Sequence, residues 1–187
     1  MLKKSFALEN PFSKESSITL SILQVILASC FIALCAQIKI PLYFTPIPFT
    51  TQSIAVMLVG ALLGSRKGSL AVLCYLMQGG LGLPVFVGGA AGSLAYFFGP
   101  TGGYLLGYVM QSYLIGWFTE KYPQANLFKV TAAIMLSVVV QMTAGSLWLA
   151  QFVGIKRCFM LGFFPFIVGD AAKACLVATI LKFRKKK

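Results

Sequence analysis

An acidic and a basic residue lie one helical turn apart near the C-terminus. Asp170 and Lys173 are the only charged side chains between residues 159 and 181. Charges are costly in lipid, and those inside a membrane-spanning segment usually serve binding or transport. A carboxylate accepts hydrogen bonds and an ammonium donates them, so the pair could hold the polar head of a ligand such as a cyclic urea or amide. The alternative is a self-satisfied ion pair that only holds helices together.

Amide and aromatic side chains are further candidates for contact with a ligand. The amides lie within apolar segments, where they could face a cavity or bond across helices; they are Gln52, Gln78 and Gln141. The aromatic residues surround the predicted outer mouth of the protein, where they could form an interfacial belt or cover a pocket; they are Tyr43, Phe44, Phe49, Phe86 and Tyr104.

Residue types needed for common catalytic mechanisms are missing from the chain. It has no histidine, and its five cysteines form no Cys-x-x-Cys pair, so we predict no metal site and no cofactor. A phosphate-binding G-x-x-x-x-G-K-[ST] motif is also absent, so energy must come from a gradient or a partner. Two alternatives stay open: a small integral-membrane enzyme with Asp170 as its general base, and a proton-coupled carrier using Asp170.

The composition indicates an integral membrane protein. Of 187 residues, 58% are hydrophobic and 11% are charged, whereas about 25% are charged in an average soluble domain. One membrane span takes about 20 residues plus a loop, so the chain has room for about six. We therefore predict an all-α membrane protein with six transmembrane helices in one compact bundle.

Apolar periodicity and Gly/Pro breaks place the six helices. The predicted third span is broken after Gly79-Gly80, and the Pro-rich segment from Pro41 to Pro48 cannot be regular helix. The predicted spans are residues 18–38, 50–64, 69–87, 99–118, 130–152 and 159–181.

Basic residues predict the orientation. The net charge is +12, and twelve of the sixteen basic residues fall on the side of the two termini, which the positive-inside bias makes cytoplasmic. Lys39, Lys156 and Arg157 fall on the outer side. Because the basic clusters flank apolar segments, they do not indicate nucleic-acid binding. The predicted regions are a cytoplasmic N-terminal segment, a six-helix membrane domain and a basic cytoplasmic tail, at 1–17, 18–182 and 183–187.

Small residues recur at four-residue spacing within the spans. Gly60 and Gly64, and Gly99, Gly103 and Gly107, allow close approach of helices. Packing within the chain and docking to another membrane subunit both fit this pattern. In the first span, Ser29, Ala33 and Ala36 form a similar small-residue face.

Five motifs in order make the chain similar to one known family. They are Ala36-Gln37-Ile38-Lys39-Ile40-Pro41, Pro48-Phe49-Thr50-Thr51-Gln52, Gly82-Leu83-Pro84-Val85-Phe86, Gly99-Pro100-Thr101-Gly102-Gly103-Tyr104 and Gly169-Asp170-x-x-Lys173. Together they resemble the BioY family, the biotin-binding S components of energy-coupling factor (ECF) transporters.

This resemblance implies an externally open biotin pocket in a bacterial plasma membrane. It implies as partners a transmembrane coupling subunit and two cytoplasmic ATPase subunits, which agrees with the missing phosphate-binding motif. Asp170 and Lys173 match the family's recognition pair, and Ser29, Ala33 and Ala36 are the nearest counterparts of its coupling motif. Many relatives carry a polar residue where this chain has Ala90 and Ala91.

Overall fold

The structure is a computed structural model that describes residues 11–89 and 94–184, and side chains within 18–89 and 95–183. Predictions for the first ten residues, for Ala90 and Ala91, and for the last three lysines lie outside the described residues. The described elements are α1 (Pro11–Ala36), β1 (Lys39–Ile40), β2 (Phe49–Thr50), α2 (Gln52–Gly80), a 3-10 turn (Val87–Gly89), α3 (Leu94–Phe97), α4 (Gly102–Lys121), α5 (Leu127–Val153), α6 (Ile155–Gly162) and α7 (Phe164–Arg184).

Helix α2 consists of two arms that fold back on each other at Gly64. This glycine has φ 83°, which breaks the helix between residues 52–63 and 65–80. A Cβ on Gly68 would lie 2.9 Å from Cα of Gly60, which only a reversal of the chain permits because eight helical residues span about 12 Å. The two arms correspond to the predicted second and third spans.

The reversal is closed by the carboxylate of Glu120, at the end of α4. Its Oε1 accepts from the backbone N–H of Ser65 at 2.9 Å, and its Oε2 from the Ser65 hydroxyl at 2.7 Å. An anionic cap at a helix N-terminus satisfies an otherwise unpaired N–H and complements the helix dipole. Glu120 thus ties the second arm of α2 to α4.

The predicted sixth span is divided in the structure. Helix α6 turns back along α5 after Gly154, where φ is 81°, and α7 begins after a one-residue break at Phe163. A Cβ on Gly162 would lie 3.0 Å from the Ser146 hydroxyl of α5, so this glycine permits close contact between the two helices. Asp170 and Lys173 lie in α7.

Six helical segments of the described chain correspond to the six predicted spans. They are α1, the two arms of α2, α4, α5, and α6 with α7. By length and composition alone, four apolar stretches could cross a membrane: 18–36, 52–80, 127–153 and 155–183. The second of these stretches includes both arms of α2, and the fourth includes both α6 and α7. Helix α4 is not among them; it packs between α2 and α5 and buries Gln111 and Ser112 completely.

Of the two loops near the predicted mouth, one differs from its predicted form. The third span does not continue to Val87, because its helix ends at Gly80 and Gly82 takes φ 95°, a conformation that helical residues do not adopt. The Pro-rich segment from Pro41 to Pro48 is not helical, as its prolines predict, and its flanks pair as a short antiparallel ribbon with Lys39 opposite Thr50. Because Thr50 belongs to this ribbon, the second span begins at Gln52 rather than at Thr50. This ribbon holds the loop over the end of the bundle that carries the ion pair.

Candidate functional site

Asp170 and Lys173 form an ion pair inside the helix bundle. Oδ1 of Asp170 lies 2.7 Å from Nζ of Lys173, and the two residues are 6% and 8% exposed. Their spacing of three residues on α7 places both on one helix face. Since each charge neutralises the other, the bundle avoids the large cost of an isolated buried ion.

The Lys173 ammonium is fully coordinated by the protein. Besides Asp170, it donates to the backbone carbonyl of Thr50 at 2.8 Å and to the hydroxyl of Ser53 at 2.9 Å, which uses all three of its donors. It also lies 3.7 Å from the centre of the Phe49 ring, a favourable cation–π distance. A ligand must therefore replace one of these bonds or bind beside them.

A cavity opens next to the ion pair. Its volume is about 50 Å³, well below the roughly 300–1,000 Å³ typical of small-molecule sites. A ligand of more than a few atoms therefore requires the residues that line the cavity to move. Its walls come from the Pro-rich loop, β2, the 3-10 turn, α3, the residue before α4, and the facing sides of α2, α4, α5 and α7. The lining residues are Ile47, Pro48, Phe49, Thr50, Gln52, Ser53, Val87, Tyr96, Thr101, Tyr104, Leu105, Tyr108, Gln141, Met142, Phe166, Asp170 and Lys173.

Six of the candidate ligand-contact residues line this cavity, including Gln141. Asp170 and Lys173 form the ion pair, and the Lys173 ammonium lies over the Phe49 ring. The Gln52 side chain is 1% exposed and its Nε2 has no hydrogen-bond partner, so it can donate to a ligand. The Tyr104 hydroxyl already donates to the Gly162 carbonyl at 2.8 Å, which leaves the ring face as its contribution.

Four other candidates lie away from the cavity, among them Phe44, which is exposed. Tyr43 is fully exposed at the tip of the Pro-rich loop, and Phe86 is completely buried, with its ring stacked on Tyr96 at 4.5 Å between centroids. Gln78 donates to the Ser29 hydroxyl at 3.1 Å and so joins the second arm of α2 to α1. These placements favour roles in the surface, the core and helix packing, respectively.

The predicted partner-binding face is largely internal. Ser29 and Ala36 have no exposed surface, because this side of α1 packs against α2. Ala33 is half-buried beside the same core. The small residues of α1 therefore contribute to packing within the chain, and its exposed face consists of large apolar side chains such as Leu23, Leu27 and Leu34. That the small residues also meet a coupling subunit stays a prediction.

Sequence reasoning missed three contributors to the site. Thr50 and Ser53 bind Lys173, and Tyr108 lines the cavity one turn beyond Tyr104. Tyr108 could have been found from the spacing of four residues on α4, which places it on the face of Tyr104. A backbone carbonyl such as that of Thr50 leaves no signal in the sequence.

Comparison with known proteins identifies the family. The BioY family model matches residues 8–187. The chain belongs to the BioY family. The resemblance predicted from the five ordered motifs is therefore confirmed.

Individual BioY relatives cover most of the chain. It is 36% identical over 160 residues to the probable biotin transporter BioY of Pyrococcus horikoshii, with 84% of this chain and 93% of that protein covered. It is 36% identical over 168 residues to the biotin transporter BioY of Thermotoga maritima, with 88% and 96% covered. These BioY relatives are named as transporters, which argues against the membrane-enzyme alternative.

A solved structure has the same fold. It is the crystal structure of the S-component for biotin from an ECF-type ABC transporter, which is 29% identical to this chain. The TM-score is 0.83, with 92% of this chain and 94% of the other covered. Family and apolar helices together make the chain a membrane protein.

Proposed function

We propose that the chain captures biotin in the cavity beside Asp170 and Lys173, as the S component of an ECF-type transporter. The observation that carries this proposal is a buried ion pair on the wall of a cavity in a protein of a transporter family. Buried polar groups beside an otherwise apolar cavity are the pattern of a site for an amphipathic small molecule.

The donor and acceptor pattern of the site suits the ureido group of biotin. That group has two N–H donors and one carbonyl acceptor. Asp170 uses Oδ1 for Lys173, so its second oxygen can accept from an N–H group. The ligand carbonyl can take a donor from Lys173 in place of Ser53, or the unpartnered Nε2 of Gln52. Phe49, Phe166 and Tyr104 supply apolar surface for the fused rings.

The geometry does not favour proton transport through Asp170. A proton relay needs successive titratable groups, yet the other carboxylate among the described side chains, Glu120, caps α2 at the far end of α4. Asp170 itself lies 2.7 Å from the Lys173 ammonium in a direct ion pair. The pair is better suited to binding than to proton exchange.

The proposal includes a place in the cell and a set of partners. Both termini face the cytoplasm of a bacterial cell, so the cavity opens to the outside. A transmembrane coupling subunit and two cytoplasmic ATPase subunits supply the energy, since the chain has no phosphate-binding motif of its own. A pull-down from native membranes should recover a coupling protein and nucleotide-hydrolysing subunits.

Retention of radiolabelled biotin by the purified protein tests the proposal. The wild-type protein should bind biotin, and Asp170→Asn and Lys173→Met should each weaken binding at least about 100-fold, because each leaves one charge buried and unpaired at the ligand. Thermal unfolding in detergent must show that both variants remain folded.

Gln78→Met is the matched control. It removes an intramembrane amide outside the cavity and should bind biotin within about twofold of the wild type. Unchanged biotin binding in both ion-pair variants would contradict the site, and absence of binding by the wild type would contradict the function.

A further inference from the structure

A second, shallower cleft continues the biotin cavity toward the outer mouth. The two share four lining residues: Pro48, Val87, Tyr96 and Thr101. Apolar and proline side chains form most of the outer cleft. Among the described residues that line it, Lys39 alone carries a charge. A long ligand in the inner cavity would therefore run past apolar surface toward this lysine.

The backbone of Lys39 is held close to the inner site. Lys39 lies opposite Thr50 in the two-stranded ribbon, and the Thr50 carbonyl accepts from the Lys173 ammonium. Paired residues in an antiparallel ribbon have Cα atoms about 4.5–5.5 Å apart. The ribbon thus places Lys39, at the mouth, opposite the residue whose carbonyl binds Lys173 in the cavity.

The side chain of Lys39 is held over the 3-10 turn. A Cβ on Gly88 would collide with Nζ and Cε of Lys39, so the ammonium end lies directly against this glycine. Gly88 must be glycine for two reasons: its φ of 69° lies in the left-handed region, and a side chain would collide with Lys39. Val87, its neighbour, lines both the cavity and the cleft.

The Lys39 ammonium has no carboxylate partner among the described side chains. The chain has four acidic residues, of which Glu9 and Glu15 precede the described side chains. Asp170 pairs with Lys173, and Glu120 binds Ser65 at the far end of α4. An exposed lysine at the cleft can therefore bind an external anion without first breaking an internal ion pair.

We propose that Lys39 binds the carboxylate of the ligand's aliphatic tail. This inference rests on the proposed function and adds a second polar contact to it. The polar ring lies at Asp170 and Lys173, the alkyl chain follows Val87 and Pro48, and the carboxylate meets Lys39 in the outer cleft. The site then selects aliphatic monocarboxylates that carry a polar ring over neutral analogues of the same shape.

The test compares charged and neutral ligands on three variants. Binding of biotin and of biotin methyl ester is measured for the wild type and for Lys39→Met, Lys39→Arg and Lys156→Met. Lys156 is an exposed lysine predicted on the same outer side but outside the cleft. Its removal therefore controls for the loss of one positive charge on that side of the protein. All variants are checked by thermal unfolding in detergent.

Lys39→Met should weaken biotin binding about three- to fivefold, as expected for an exposed ion pair, and ester binding less than about 1.5-fold. Lys39→Arg and Lys156→Met should stay near wild type. The loss in Lys39→Met should shrink at 1 M salt, because salt screens exposed charges. An equal loss for biotin and its ester, or none, in a protein that binds biotin would overturn the Lys39 site alone. Failure of the wild type to bind biotin would overturn the proposed function as well.

Discussion

Burial of the ion pair depends on neighbours that the protein itself supplies. Lys173 has three donors and meets three acceptors, while Ser53 also donates to Oδ1 of Asp170 at 3.4 Å. Without a ligand the pair is therefore held in place at low cost. Ligand binding becomes an exchange of one internal hydrogen bond for one external bond, which favours a ligand that offers both a donor and an acceptor.

Ser53→Ala tests this arrangement at the residue scale. The change removes an acceptor from a buried ammonium, so it should lower the free energy of unfolding of the ligand-free protein by about 1–2 kcal/mol. Ser53→Thr keeps the hydroxyl and serves as the control. The measurement is thermal unfolding in detergent, and equal stability of Ser53→Ala and wild type would show that Ser53 does not support Lys173.

Among the helices, close approach depends on glycine and on one capping carboxylate. The two arms of α2 and helix α4 meet at Gly60, Gly68 and Ser112, where a Cβ on Gly60 would lie 2.6 Å from the Ser112 carbonyl oxygen. Backbone atoms cannot move aside as a flexible side chain can. Helices in lipid gain no hydrophobic free energy by associating. Close van der Waals packing at small residues stabilises their contact instead. The small-residue spacing thus serves packing within the chain.

Gly60→Ala tests the helix contact by the sign of its effect. In a helix without neighbours, alanine is more stable than glycine by about 1 kcal/mol. Here the added methyl group meets backbone, so the variant should lose about 1–3 kcal/mol of unfolding free energy in detergent. Leu62→Ala, on the exposed side of the same arm, should change stability by less than about 0.5 kcal/mol. A stabilised Gly60→Ala protein would contradict this packing.

Across the described part of the molecule, large apolar side chains cover the outside, and the buried ion pair lies at one internal site. Exposed leucine, isoleucine and phenylalanine residues run along α1 and continue on α7. Helix α4 packs between α2 and α5 and exposes Leu106 and Met110 on its outer face. Its interior positions include Gln111, both of whose side-chain polar atoms lack a partner. This distribution fits a bundle surrounded by lipid, with a polar site reached from one end.

Orientation in the membrane is tested with single-cysteine variants of a protein in which the five native cysteines have been replaced. Tyr43→Cys, at the mouth, should react with a membrane-impermeant maleimide in intact cells, because the cavity is proposed to open outward. Gln124→Cys, in the exposed connection between α4 and α5, should react only in broken cells. The reverse pattern of labelling would place the termini outside and contradict the positive-inside assignment.

Local information in the sequence was enough to predict the helices and to place the ion pair on one helix face. The length and composition of each segment reveal its place relative to lipid, and a spacing of three residues puts Asp170 and Lys173 on one face of whichever helix contains them. The order of short motifs was enough to recognise the family. None of these inferences requires knowing which helices are neighbours.

Tertiary structure decided which side chains reach the cavity. In lipid, both the buried and the outer faces of a helix are apolar, so periodicity does not reveal which face meets a neighbour. Gln52 and Gln78 look alike in the sequence, yet Gln52 borders the cavity and Gln78 bonds to Ser29. Likewise, Thr50 contributes a carbonyl and Lys39 reaches the cleft only because the chain reverses and pairs there. Such positions follow from the arrangement of neighbours in space, which the types of individual residues do not encode.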